Sequence, residues 1–201
     1  MKRSLMKQQA KKLFKNQYST TLLTVLLTLL ISVGAGSVLP IIGAVLIAPI
    51  FIGRSRVFLD IARGKKGEID DVLTPFKDEQ YADFMLIMFL RGLFIFLWSL
   101  LLIIPGIIKS LSYAMVPYIL AEDGVDVKHT DAITASREMM DGHKWRLFVI
   151  YLSFIGWYIL GALTLGVLTV LYVEPYVQQT LALFYEDIKE PTPSLDTHYS
   201  E

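Results

Sequence analysis

The sequence predicts an all-α, multi-pass transmembrane helical bundle: six spans as three helical hairpins, plus an amphipathic cytoplasmic helix. Composition, the pairing of apolar runs and the placement of charge carry that expectation. Of 201 residues, 54% are hydrophobic and 19% charged, and mean hydropathy is +0.51. That leaves too little polar surface to wrap a soluble domain. Six apolar runs (22–33, 39–52, 84–104, 107–121, 148–165 and 167–185) pair around nearly uncharged turns at 34–40, 104–106 and 161–166. Extended into their flanks, the runs approach the roughly 20 residues that cross a bilayer. Apart from Arg91 and Lys109, every basic residue falls in the N-terminal segment, the second-to-third or fourth-to-fifth connection, or just after the sixth run. The positive-inside rule then puts those segments and both termini in the cytoplasm. An even number of spans requires the same.

Taken in order, residues 1–17 set Leu5, Met6, Ala10, Leu13 and Phe14 on one helical stripe among lysines, the pattern of a helix lying at a membrane interface. The basic start, apolar run and small residues near Gly34 also imitate a secretory signal, but the apolar segments that follow favour a retained anchor. Hairpins follow at 20–61, 81–121 and 145–188, each turning at Gly or Pro. The returning arm of each contains a proline, Pro49, Pro117 or Pro175, near mid-membrane by residue count. Each frees a carbonyl four residues earlier, at Val45, Tyr113 and Leu171. Pro49 precedes Phe58 by nine residues and Pro175 precedes Phe184 by nine, which suggests a repeated hairpin unit. Loop 122–146 holds an amphipathic helix with Ala132, Ile133, Ser136, Met139 and Met140 on one face. Thr130 or Asp131 caps its start and Gly142 ends it. Residues 1–190 read as a single integral membrane domain and 191–201 as a polar, disordered tail.

Two stretches are distinctive: Leu97-Trp98-Ser99-Leu100-Leu101-Leu102-Ile103-Ile104-Pro105-Gly106-Ile107-Ile108-Lys109, and Ser136-Arg137-Glu138-Met139-Met140-Asp141-Gly142-His143-Lys144-Trp145. With Leu152-Ser153-Phe154-Ile155-Gly156-Trp157, Glu174-Pro175-Tyr176 and Phe184-Tyr185, they resemble the domain of unknown function 975 family over roughly residues 1–190. That resemblance implies an integral protein of the plasma membrane of Gram-positive bacteria, with no established activity. The family is distantly similar to the membrane domain attached to some glycerophosphodiester phosphodiesterases, whose catalytic domain has no counterpart here.

No residue pattern in the chain carries catalysis. Cysteine is absent, which excludes thiolate chemistry and thiolate metal sites. His129 and His143 stand too far apart for a helical metal pair, and there is no phosphate loop or nucleophile elbow. The expectation is a non-enzyme with no cofactor, no metal and no nucleic-acid partner. The candidate intramembrane polar site is Arg91, Glu174 and Gln178. A charge inside a span is costly, by about 2.5–3.5 kcal/mol on insertion scales, and needs a partner. Residue counts put Glu174 roughly 12 Å and Arg91 roughly 21 Å from the outer turns, a difference that a long arginine side chain bridges in large part. The other readings are a structural pair that locks two helices, or an Arg91 that turns inward beside Asp83. Lys11, Lys12, Lys15, Arg54, Arg56 and Lys109 are candidate contacts to anionic lipid headgroups. Two functional expectations follow. The leading one is an envelope accessory or scaffold acting through lipids, a second copy of itself or another membrane protein. The alternative is a small transporter or permease-like protein with a proline-kinked mid-membrane cavity.

Overall fold

A computed structural model describes residues 2–38, 40–122 and 131–189, and every regular element among them is helical. Helix α1 (Arg3–Asn16) meets α2 (Tyr18–Val38) at Gln17, where the chain bends by 91°. The stretch α3 (Pro40–Ile47) breaks at Ala48-Pro49 and resumes as α4 (Ile50–Ala62). Two short 3-10 turns, Ile69–Val72 and Thr74–Phe76, lead to the hairpin of α5 (Tyr81–Leu101) with α6 (Ile103–Ser112) and α7 (Val116–Leu120). Helix α8 (Asp131–Met139) precedes α9 (Lys144–Leu152) and α10 (Ile155–Leu163). A π-helical turn (Thr169–Val173) then enters α11 (Glu174–Lys189).

The all-α class holds, but six spans are not supported. Among the described residues three stretches are long and apolar enough to cross a membrane: Tyr81–Leu101, Ile103–Leu120 and Lys144–Leu163. A fourth is counted if bent α1 and α2 form one span. The breaks at Pro49 and Pro175 are the reason. They leave α3 with 8 residues, α4 with 13 and α11 with 16. At about 1.5 Å per residue each falls short of a roughly 30 Å hydrocarbon layer. Helix α11 is also the hub of the bundle, buried continuously from Pro175 to Tyr185.

Helices α4 and α11 run side by side in the same direction. Arg54 meets Glu174, Phe58 O accepts from Gln179 Nε2 at 3.3 Å, and Arg63 meets Glu186. The partners advance together along both helices, which only a parallel pair allows. Phe58 and Phe184, the residues of the nine-residue echo, are both fully buried. Helix α1 lies along α11 and buries Met6, Ala10 and Phe14, while Leu5 of the expected stripe stays 46% exposed. Its apolar face is therefore taken up by protein rather than left for lipid. Helix α8 buries Ala132, Ile133 and Ser136, with Met140 just beyond it, and Gly142 follows at φ 74°. Thr130, His129 and the tail lie outside the described residues.

Two of the turns differ from their sequence reading. Helix α2 continues through Gly34 to Val38. The α5–α6 reversal occurs at extended Leu102, not at Pro105-Gly106. Gly106 serves packing instead, because a Cβ there would lie 2.3 Å from Ser99 Oγ on α5. The third turn, 164–166, closes α10 with a paired cap: Gly166 N–H donates to Gly161 O (2.9 Å) and Leu165 N–H to Ala162 O (3.1 Å). This cap needs a left-handed residue, and Leu165 occupies it at φ 53°. Left-handed backbone costs a non-glycine residue roughly 1–2 kcal/mol, and Leu165 is 96% exposed. Leu165→Gly is therefore expected to raise the thermal midpoint of the purified protein, whereas Leu165→Val lowers it.

Candidate functional site

Each proline begins a new helical segment, where its missing N–H costs nothing. Pro49 caps α4, Pro117 stands in the first turn of α7, and Pro175 in the first turn of α11. At two of the breaks a distant side chain takes the carbonyl that the proline frees. Arg91 Nε donates to Tyr113 O at 2.7 Å, and Tyr18 Oη donates to Leu171 O at 3.3 Å. At the remaining break, Val45 O accepts from Ala48 N–H (3.2 Å) and Tyr81 Oη donates to neighbouring Leu46 O (2.8 Å). The breaks are thus stitched into neighbouring helices, as apolar surroundings require of exposed backbone.

Beside the Pro117 break lies a cavity of about 540 Å³. Arg54 and Ser55 reach it from α4, and Met88 and Arg91 from α5. Ser110 of α6, Tyr118 of α7, Tyr151 of α9 and Gln178 of α11 complete its polar lining. Phe51, Ile107, Leu111, Phe148 and Leu181 supply apolar wall. The volume lies within the roughly 300–1,000 Å³ typical of small-molecule sites.

Arg91 and Gln178 face this one cavity, but the expected Arg91–Glu174 pair is not formed. Glu174 Oε1 instead meets Arg54 Nη1 at 3.4 Å and accepts from Gln178 Nε2 at 2.8 Å. Tyr158 Oη donates to its Oε2 at 3.5 Å. Tyr113 O is the acceptor that Arg91 finds, and among the described residues it has no acidic partner. The reason is geometric: α4 runs parallel beside α11, so its arginine reaches Glu174 first. Arg54 was expected at lipid headgroups, yet its side chain is 17% exposed and its Nε is buried with no hydrogen-bond acceptor. One signal was available: Arg54 follows mid-depth Pro49 by only five residues, roughly 7–8 Å along a helix, too little to leave the apolar zone. Tyr118 and Tyr151 carried no such signal. They are apolar-run aromatics until folding turns them inward, where Tyr118 Oη donates to Gln178 Oε1 at 3.4 Å.

The other headgroup candidates divide. Lys11, Lys12 and Lys15 are exposed along α1. Arg56 is half-buried. Lys109 sits half-buried over the rings of Trp98 (4.8 Å) and Tyr113 (5.8 Å). Arg63 turns to acids: Glu122 Oε1 at 2.5 Å and Glu186 Oε1 at 2.8 Å. Lys189 pairs with Glu122 and Arg146 with Asp187. This network ties the ends of α4, α7, α9 and α11 together. Burial would raise the Glu122 carboxyl, but hydrogen bonds from Lys189 and Arg63 outweigh it and hold the group below its usual range.

The fold and cavity define a class: an all-α protein with, among the described residues, three or four helices long and apolar enough to cross a membrane, built around an interior cavity that two arginines line. Residues 100–192 match the model of the family described as "Protein of unknown function (DUF975)", the family that the sequence resembles. The matched region holds α6 to α11, and with them Ser110, Tyr118, Tyr151, Glu174 and Gln178. Arg54 and Arg91 lie before it. No curated protein and no solved structure matches this chain.

Proposed function

We propose that this is an integral protein of a bacterial plasma membrane, non-enzymatic, that admits a small ligand to the interior cavity as a transporter or permease-like unit. The observation that supports this most is the cavity itself, lined by Arg54, Arg91, Ser110 and Gln178 where the proline-broken helices meet. Transport sites are built at such breaks, because interrupted helices leave polar backbone and side chains facing a shared space. A scaffold would gain nothing from holding charged groups around a void. The ionic network around Arg63 and Glu122 forms the cytoplasmic face in this reading, in keeping with the basic flanks of the spans.

Because the chain has no cysteine, single thiols can be introduced without background. Ser110→Cys in sealed vesicles is expected to react with a membrane-impermeant thiol reagent, while Thr180→Cys, at a fully buried position, stays inert. Equal inertness of the two would overturn the reading.

A further inference from the structure

We infer that the cavity's ligand is an amphiphilic anion, its oxyanion head held between Arg54 and Arg91 and its apolar body laid against the α6–α9–α11 wall. The inference rests on the transporter reading and names its substrate class. Charge carries the first step. Arg54 and Arg91 are the charged residues that line the cavity, and the nearest carboxylate, Glu174, is shared with Gln178 and Tyr158. One unit of positive charge is left over in a largely apolar space. Such a charge is strongly disfavoured unless an anion or water meets it.

Unused donors carry the second step. Arg91 commits Nε to Tyr113 O, and among the described residues its two terminal nitrogens have no acceptor. Arg54 commits Nη1 to Glu174 over a long 3.4 Å, while its Nε is buried without a partner. Two guanidinium groups with open N–H donors suit a phosphate or carboxylate, because the planar fork matches two oxygens at once. Ser110, Tyr118 and Tyr151 place hydroxyls on the same lining. Size and wall chemistry carry the third. A volume of about 540 Å³ exceeds what a bare oxyanion fills, and Ile107, Leu111, Phe148 and Leu181 offer nothing to a hydrophilic solute.

The test uses the full chain in a neutral detergent. Dodecyl phosphate, inorganic phosphate and dodecanol are titrated separately, at constant ionic strength, while the thermal midpoint is followed. Saturable stabilisation by dodecyl phosphate, with none by dodecanol, is expected. Stabilisation by inorganic phosphate at equal concentration would assign the head alone and overturn the amphiphile. Arg91→Gln is expected to weaken dodecyl phosphate binding about tenfold, the loss of one charge-assisted pair. Since Arg91 also stitches the Pro117 break, Ser110→Glu provides a second variant: it supplies an internal anion and should abolish the response without removing an existing ion pair. Glu174→Gln, which frees Arg54, should strengthen binding. If dodecyl phosphate gives no response, or Ser110→Glu leaves it unchanged, the anion assignment falls. Labelling of Ser110→Cys alongside that failure would leave the cavity reading standing, whereas inert Ser110→Cys would remove both.

Discussion

Arg54→Ala and Glu174→Ala are each expected to destabilise the protein by about 3 kcal/mol, and the double variant by much less than their sum. With side-chain exposures of 17% and 26%, the pair is mostly removed from solvent. Deleting one partner strands the other's charge among apolar side chains, and that stranded charge accounts for most of the loss. Gln178 adds to the cost at Glu174, because its Nε2 loses a 2.8 Å acceptor. Removing both charges cancels most of the penalty. The cycle is measured as the fraction folded in a denaturing-detergent titration. A matching Arg91/Glu174 cycle should be additive, since these residues share no bond. Additivity of the Arg54/Glu174 cycle, or strong coupling of the other, would contradict the assigned pairing.

Glu122→Gln is the second large effect, about 1–2 kcal/mol at neutral pH, and it is tied to pH. Glu122 is 14% exposed at the side chain and joins Lys189 to Arg63, the latter at 2.5 Å. Its carboxyl is held below the ordinary glutamate value, so the folded state binds its proton more weakly than the unfolded chain. The stabilisation is therefore fully present above the unfolded value, roughly 4.3, and is lost as pH falls through the lower folded value. Glu122→Gln should flatten the stability profile on the acid side of the unfolded value. Arg63 is cationic throughout this window, so it contributes no slope of its own. A profile of unchanged shape in the variant would refute Glu122 as the titrating group.

How much of this could be read from the chain follows from the range of the forces involved. Helical class, the stripe Met6-Ala10-Phe14 and the α8 face Ala132-Ile133-Ser136 are local periodicities, and the structure buries each of them. Pro49, Pro117 and Pro175 announce helix breaks because a missing N–H acts within one turn. The freed carbonyls at Tyr113 and Leu171 followed from the same rule. The donors that meet them, Arg91 and Tyr18, stand 22 and 153 residues away, and no spacing rule reaches that far. Span number failed for a related reason. Apolar runs add up in composition whether or not a proline cuts them, but the breaks at Pro49 and Pro175 leave helices too short to cross a bilayer.

The sequence by itself determined helical class, apolar character, the positions of the breaks and the family resemblance, all properties of neighbouring residues. Which cation meets Glu174, which carbonyl Arg91 takes and where the cavity opens were decided only by tertiary structure. Those outcomes depend on α4 lying parallel to α11, a relation between segments 120 residues apart at the Arg54–Glu174 contact. Coulomb attraction and hydrogen bonding select among partners that folding has already brought within a few ångströms.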